Sequence, residues 1–181
     1  MQVNTVISFT GKDRVGLVED VTGVLLKFGG NVETSRMVRL GGEFAMLMLV
    51  SVPAEGLAGL EAALNDLMAQ GFTVTIRHTA RTADAPRVDA APYQICVVGA
   101  DHEGIIHDIA AYLADRGINI ESMDTETAPA PNSGAPLFSM SALVAVPSTL
   151  LSEKWESALD AVGQRLNVDI DVKSVSSVSP Q

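Results

Sequence analysis

Two short stretches of this 181-residue chain combine glycine with groups able to meet a charged small molecule. They are Gly11-Lys12-Asp13-Arg14-Val15-Gly16 and Gly99-Ala100-Asp101-His102-Glu103-Gly104. Each precedes an apolar pattern of helical period, opening on Leu17 or Ile105. A helix start offers unpaired N–H groups and the positive end of a dipole, which together suit a carboxylate. Gly16 and Gly104 lack a Cβ and let a ligand come close to the backbone. Asp13 or Asp101 can pair with an ammonium group. Asn31 and Asn119, at the start of the next strand, add an amide that both donates and accepts. These groups match the two charges of an amino-acid zwitterion. The expected ligand-binding set is Asp13, Gly16, Leu17 and Asn31, with Asp101, Gly104, Ile105 and Asn119 in the second stretch. An architectural role accounts for the same residues, because aspartate caps helices and glycine makes turns.

Other chemistry is poorly supplied. His102 and His107 are five apart, about 140° around a helix, so they cannot face one metal ion together. No metal site and no cofactor are expected. Cys96 lies between Ile95 and Val97 on a β-rich run, which reads as an inert buried thiol rather than a nucleophile. No phosphate loop, carboxylate pair or Ser-His-Asp order stands out, so no catalytic residue is expected and the chain reads as a non-enzyme.

The two stretches belong to a repeat. At a constant offset of 88, Gly11, Asp13, Gly16, Asp20, Leu25, Gly29, Asn31 and Glu33 meet identical residues at Gly99, Asp101, Gly104, Asp108, Leu113, Gly117, Asn119 and Glu121. A repeat of this length means one module used twice. In the first copy, Val3–Phe9 alternates as a strand, and Thr10–Asp13 reads as a turn. Leu17, Val18, Val21, Val24, Leu25 and Phe28 form a helical stripe that Gly29-Gly30 ends. Asn31–Val38 and Glu43–Val52 read as strands joined at Gly41-Gly42. A second helix runs from Leu57 to Met68, and Phe72, Val74 and Ile76 mark a fourth strand. The second copy repeats this order, with its first strand at Tyr93–Val98 and a longer, proline-rich hairpin at Ala128–Pro136. Ser148 is expected to cap its last helix, whose stripe is Leu151, Trp155, Leu159, Val162 and Leu166.

The order βαββαβ is the ferredoxin-like plan, an α+β fold with antiparallel sheets. The expected division is 1–78, a linker at 79–92, a second domain at 93–175 and a tail at 176–181. The third strand is apolar on both sides: Phe44, Met46, Met48 and Val50 on one, Ala45, Leu47 and Leu49 on the other. Its outer side needs a cover, from the other repeat or from another chain, so a homo-oligomer is expected. The matching side of the second copy, Ser139, Ser141, Leu143 and Ala145, is smaller and more polar.

An apolar fraction of 47% excludes a wholly disordered chain. The longest apolar run, Phe44–Val50, is far too short to span a membrane, and Met1–Thr10 lacks the pattern of a secretory signal. A single cysteine forms no internal disulfide, which fits the cytoplasm. The formal net charge is −10. Such a surface repels phosphates, so direct nucleic-acid binding is not expected. Gene regulation would have to pass through a partner protein or a small molecule.

Two βαββαβ modules, each with a G-x-D-x-x-G turn before the first helix and an N-[VI]-E start to the second strand, resemble tandem ACT domains. They are most similar to the glycine cleavage system transcriptional repressor family. The resemblance runs from about Val3 to Val175. It implies a regulatory module that senses an amino acid near the turn after the first strand, often across a domain or subunit interface, and acts on a regulatory partner protein. Many members carry proline before the second glycine of the turn. Here Val15 and Glu103 stand there. Glu103 sets a negative charge near an incoming carboxylate, so the first turn is expected to be the better carboxylate site. The alternative is a ligand-free interaction module.

Overall fold

The computed structural model describes residues 1–79, 89–131 and 133–175. The chain divides into two compact units, Met1–Ala85 and Pro86–Gln181. Most of the expected linker, 80–88, and the expected tail, 176–181, lie outside the described residues.

The first unit consists of β1 (Gln2–Lys12), α1 (Leu17–Lys27), β2 (Asn31–Leu40), β3 (Glu43–Pro53), α2 (Leu57–Met68) and β4 (Thr73–Thr79). The second repeats it with β5 (Ala90–Ala100), α3 (Ile105–Asp115), β6 (Asn119–Pro129), β7 (Pro136–Pro147), α4 (Trp155–Leu166) and β8 (Val168–Ser174). Sheet orders are β2-β3-β1-β4 and β6-β7-β5-β8, with every neighbouring pair antiparallel. This is the α+β, ferredoxin-like arrangement that the element order implies.

Each unit has its own core. In the first, Leu17, Val21 and Leu25 of α1 and Leu60 and Leu64 of α2 cover Ile7, Phe9, Met46, Met48 and Val50. In the second, Ile105, Ile109, Leu113, Leu159 and Val162 cover Ile95, Val97, Met140, Ala142 and Val144. The periods of 3.6 and 2 in the sequence are the periods of these two faces.

Several repeated residues have plain architectural work. Gly29 and Gly117 adopt φ of 73° and 67° just past α1 and α3. Gly30 N–H then reaches Leu25 O at 2.8 Å and Gly29 N–H reaches Leu26 O at 3.0 Å, the paired bonds of a Schellman motif. Ile118, Gly117, Leu113 and Ala114 repeat it at 3.0 Å each. The register of β2 slips between Val32 and Thr34, and that of β6 between Ile120 and Ser122. Glu33 and Glu121 are therefore the extra residues of matching β-bulges. Gly11 and Gly99 lie inside strands, where a Cβ would come 2.2 Å from the Phe72 ring and 2.6 Å from Val168.

Some boundaries differ from the sequence reading. β1 continues through Gly11 and Lys12, which pair with Phe44 and Glu43, so the turn starts only at Asp13. β5 starts at Ala90, which pairs with Pro147. Ser148 does not cap α4: it opens a single 3-10 turn, Ser148–Leu150, and α4 starts seven residues later at Trp155. Leu151 accordingly lies outside the stripe and is exposed. Cys96 is half-buried rather than core. Strand alternation explains this, because Ile95 and Val97 take the helix side and leave Cys96 on the outer face.

Candidate functional site

β1 delivers the first turn and β5 the second. Asp13 N–H donates to Gly42 O at 3.0 Å, which ties the turn to the tip of the β2–β3 hairpin. Asp101 N–H does the same with Pro136 O at 3.1 Å. The helices then start without side-chain caps. The N-cap residues are Gly16, at φ 86°, and Gly104, at φ 94°. These left-handed values favour glycine over any residue with a Cβ. Asp13 and Asp101 therefore do not cap. The architectural role weighed for them is not theirs, and the N–H groups of the first helical turn have no side-chain oxygen across them.

The two turns have diverged around this shared frame. In the first unit the Asp13 carboxylate accepts from Arg39 Nε at 2.7 Å. Arg14 donates to Asp20 Oδ2 at 2.5 Å and lies 5.8 Å from the centre of the Phe72 ring. Val15 is wholly exposed at the tip. In the second unit His102 takes the place of Arg14. Its Nε2 is 2.6 Å from Leu166 O and its Nδ1 is 2.9 Å from Glu103 O. Two carbonyls at two ring nitrogens call for two donors, which only the imidazolium has. The Leu166 and Glu103 carbonyls raise the His102 pKa against the opposing effect of desolvation, and Asp101 and Asp108 nearby add to the rise. His102 thus straps the turn to the last carbonyl of α4.

An open cavity of about 610 Å³ sits at the start of α3. Its walls include Asp101, His102, Gly104, Ile105, His107 and Glu126, closed at the back by Phe138. Three expected residues, Asp101, Gly104 and Ile105, are brought together here. His107, Glu126 and the flanking Thr125 and Thr127 were not foreseen. His107 lies on α3 itself; the other three come from the end of β6, because β5 and β6 run parallel on either side of β7, so the turn after β5 lies beside the end of β6. The cavity is thus found at the second turn, whereas Glu103 had pointed to the first.

Asn31 and Asn119 lie elsewhere. Asn31 is level with Ser51 and Asn4, whereas Lys12 is level with Glu43. Eight rungs separate the two, about 26 Å at 3.3 Å each. Asn119, level with Ala145 and Pro92, is equally far from Ala100. Within one unit neither asparagine completes the site at the turn. Asn119 instead donates from Nδ2 to Glu121 Oε1 at 2.5 Å. Leu17 and Ile105 are core side chains, each 2% exposed, so they offer mainly backbone to a ligand. Among the described residues no group of three His, Cys, Asp or Glu is placed to hold a metal ion. Among them too, no helix is long and apolar enough to cross a membrane.

Comparison with known proteins agrees with this fold. Residues 4–78 match the family model of the ACT domain. The chain is 26% identical over 172 residues to the glycine cleavage system transcriptional repressors of Escherichia coli (strain K12) and Shigella flexneri, covering 94% of this chain and 90% of each relative. The crystal structure of an unknown protein from Galdieria sulphuraria is 38% identical and superposes with a TM-score of 0.81, covering 97% of this chain and all of that one. A structure described provisionally as a glycine cleavage system transcriptional repressor shares the fold at 22% identity and a TM-score of 0.71, covering 98% of this chain and 99% of that one. The first unit matches the ACT model and the second repeats its topology strand for strand: residues 4–78 are an ACT domain, and the chain over nearly its whole length is similar to the glycine cleavage system transcriptional repressors.

Proposed function

We propose that this chain is a non-enzymatic regulator that binds a small amino acid at the start of α3 and passes the signal to a partner protein. The cavity beside Gly104 is the observation that carries this reading. Uncapped N–H groups of the first turn of α3 receive the α-carboxylate, and Asp101 supplies negative charge for the ammonium group. His102, whose two carbonyl partners favour the imidazolium, offsets the charge of Glu103 when protonated and leaves the site able to take an anion. An open site of this size accepts a short side chain and leaves it partly in water. Similarity to the repressors points to transcriptional control of amino-acid metabolism, glycine among the candidates. The net charge of −10 assigns contact with DNA to the partner.

Titration calorimetry of the full chain against the common amino acids tests the reading. Binding of one small amino acid is expected, with loss of heat in Gly104→Val, where a branched side chain meets a left-handed backbone. A ligand at 100 times its dissociation constant adds ~2.7 kcal/mol to the stability of the folded chain. Absence of any binding amino acid, with no shift in melting, rejects the sensor and leaves an interaction module.

A further inference from the structure

The outer faces of the two sheets carry opposite patterns. On the first sheet Arg36 of β2 lies opposite Leu47 of β3, and Arg77 of β4 lies opposite Val6 of β1, which is itself opposite Leu49. One guanidinium thus stands on each edge strand, flanking an apolar centre. Leu47 is 52% exposed and Val38, beside it on β2, is 46% exposed. Among the described residues neither Arg36 nor Arg77 forms an ion pair.

The second sheet inverts this. Asp124, Ser141, Cys96 and Asp171 form one rung across all four strands. Glu126 and Asp169 end the next rung. Carboxylates flank a centre of Ser139, Ser141, Cys96 and the exposed Val98, and among the described residues only Asp171 of these four has a cation, Lys173. Position for position in the repeat, Asp124 stands where Arg36 does and Ser141 where Leu47 does.

We propose that the outer face of the first sheet docks on the outer face of the second sheet of another copy of this chain. Stacked sheets set their inner faces about 10 Å apart with strands nearly aligned, so edge strand faces edge strand. That arrangement seats the Leu47–Leu49 ridge on the small residues around Ser141 and brings edge guanidiniums to edge carboxylates. Two first faces would oppose arginines, and two second faces would oppose eight carboxylates, so like faces are disfavoured. Every chain has one face of each kind, so two chains hold all the surfaces that the pairing needs.

Sedimentation velocity of the full chain over a wide concentration range is the test. A dimer is expected that weakens as salt rises, because the edge pairs are screened. Leu47→Glu should raise its dissociation constant roughly tenfold or more, as loss of a central apolar contact does. Arg36→Glu with Arg77→Glu should weaken it comparably. Adding Asp124→Arg and Asp169→Arg to that chain should restore association by reversing both faces, which separates the interface from any folding defect. A chain that stays monomeric at every concentration, as when the face is covered within one chain or by a different protein, overturns the proposal. A dimer indifferent to both Leu47→Glu and the arginine reversals overturns it equally.

Discussion

His102 shows how one residue couples a turn to an element distant in sequence. Its imidazolium donates to the carbonyls of Glu103, the next residue, and of Leu166, 64 positions on, and those carbonyls raise its pKa above 6.5. A raised value in the folded state means that the contribution to stability is complete below about 6.5 and is lost as pH climbs through the folded value. The second unit is therefore expected to melt at lower temperature as pH rises from 6.5 upward. Trp155, the chain's single tryptophan, is buried in α4 of that unit, so its fluorescence follows this melting alone. His102→Gln should flatten the dependence. A profile unchanged by the substitution would show that the strap does not titrate.

At the scale of the elements, Thr5 is a defect in β1. It sits in the helix-facing row with Ile7 and Phe9, is wholly buried, and its hydroxyl has no hydrogen-bond partner. Thr5→Val keeps the shape and removes an unsatisfied group, so a gain of about 1 kcal/mol in denaturant unfolding is expected. The second unit has Tyr93 there, with its ring edge-on to Trp155 at 5.3 Å. Element order was readable from the sequence because periods of 3.6 and 2 switch cleanly at glycine pairs such as Gly29-Gly30. The start of α4 was not readable, because the apolar Leu151 extends the helical period through a segment that turns instead. The site was half readable. Gly104 and Asp101 follow from a turn before a helix, which is local. His107, three residues on along α3, is local too, whereas Glu126 joins them through strand pairing, which is not. Asn31 and Asn119 were matched to the turn by their amide chemistry, but pairing eight rungs away keeps them from it within one unit, and only the register of the sheet reveals that.

The whole molecule is two cores with no described core residue in common. A chain ending at residue 79 and one beginning at residue 89 are each expected to fold, as circular dichroism and a cooperative melt would show; a fragment without a cooperative transition would mean that one core depends on the other. Duplication has also produced an internal control. Arg14 and His102 occupy one position of the repeat, yet arginine keeps its charge at any physiological pH while histidine does not. At this position of the repeat only the second unit carries a handle that protons can turn. The ratio of the two halves' unfolding signals would therefore report acidity, while protein concentration and instrument response cancel: a ratiometric gauge made from a module copied once and then changed at this position among others.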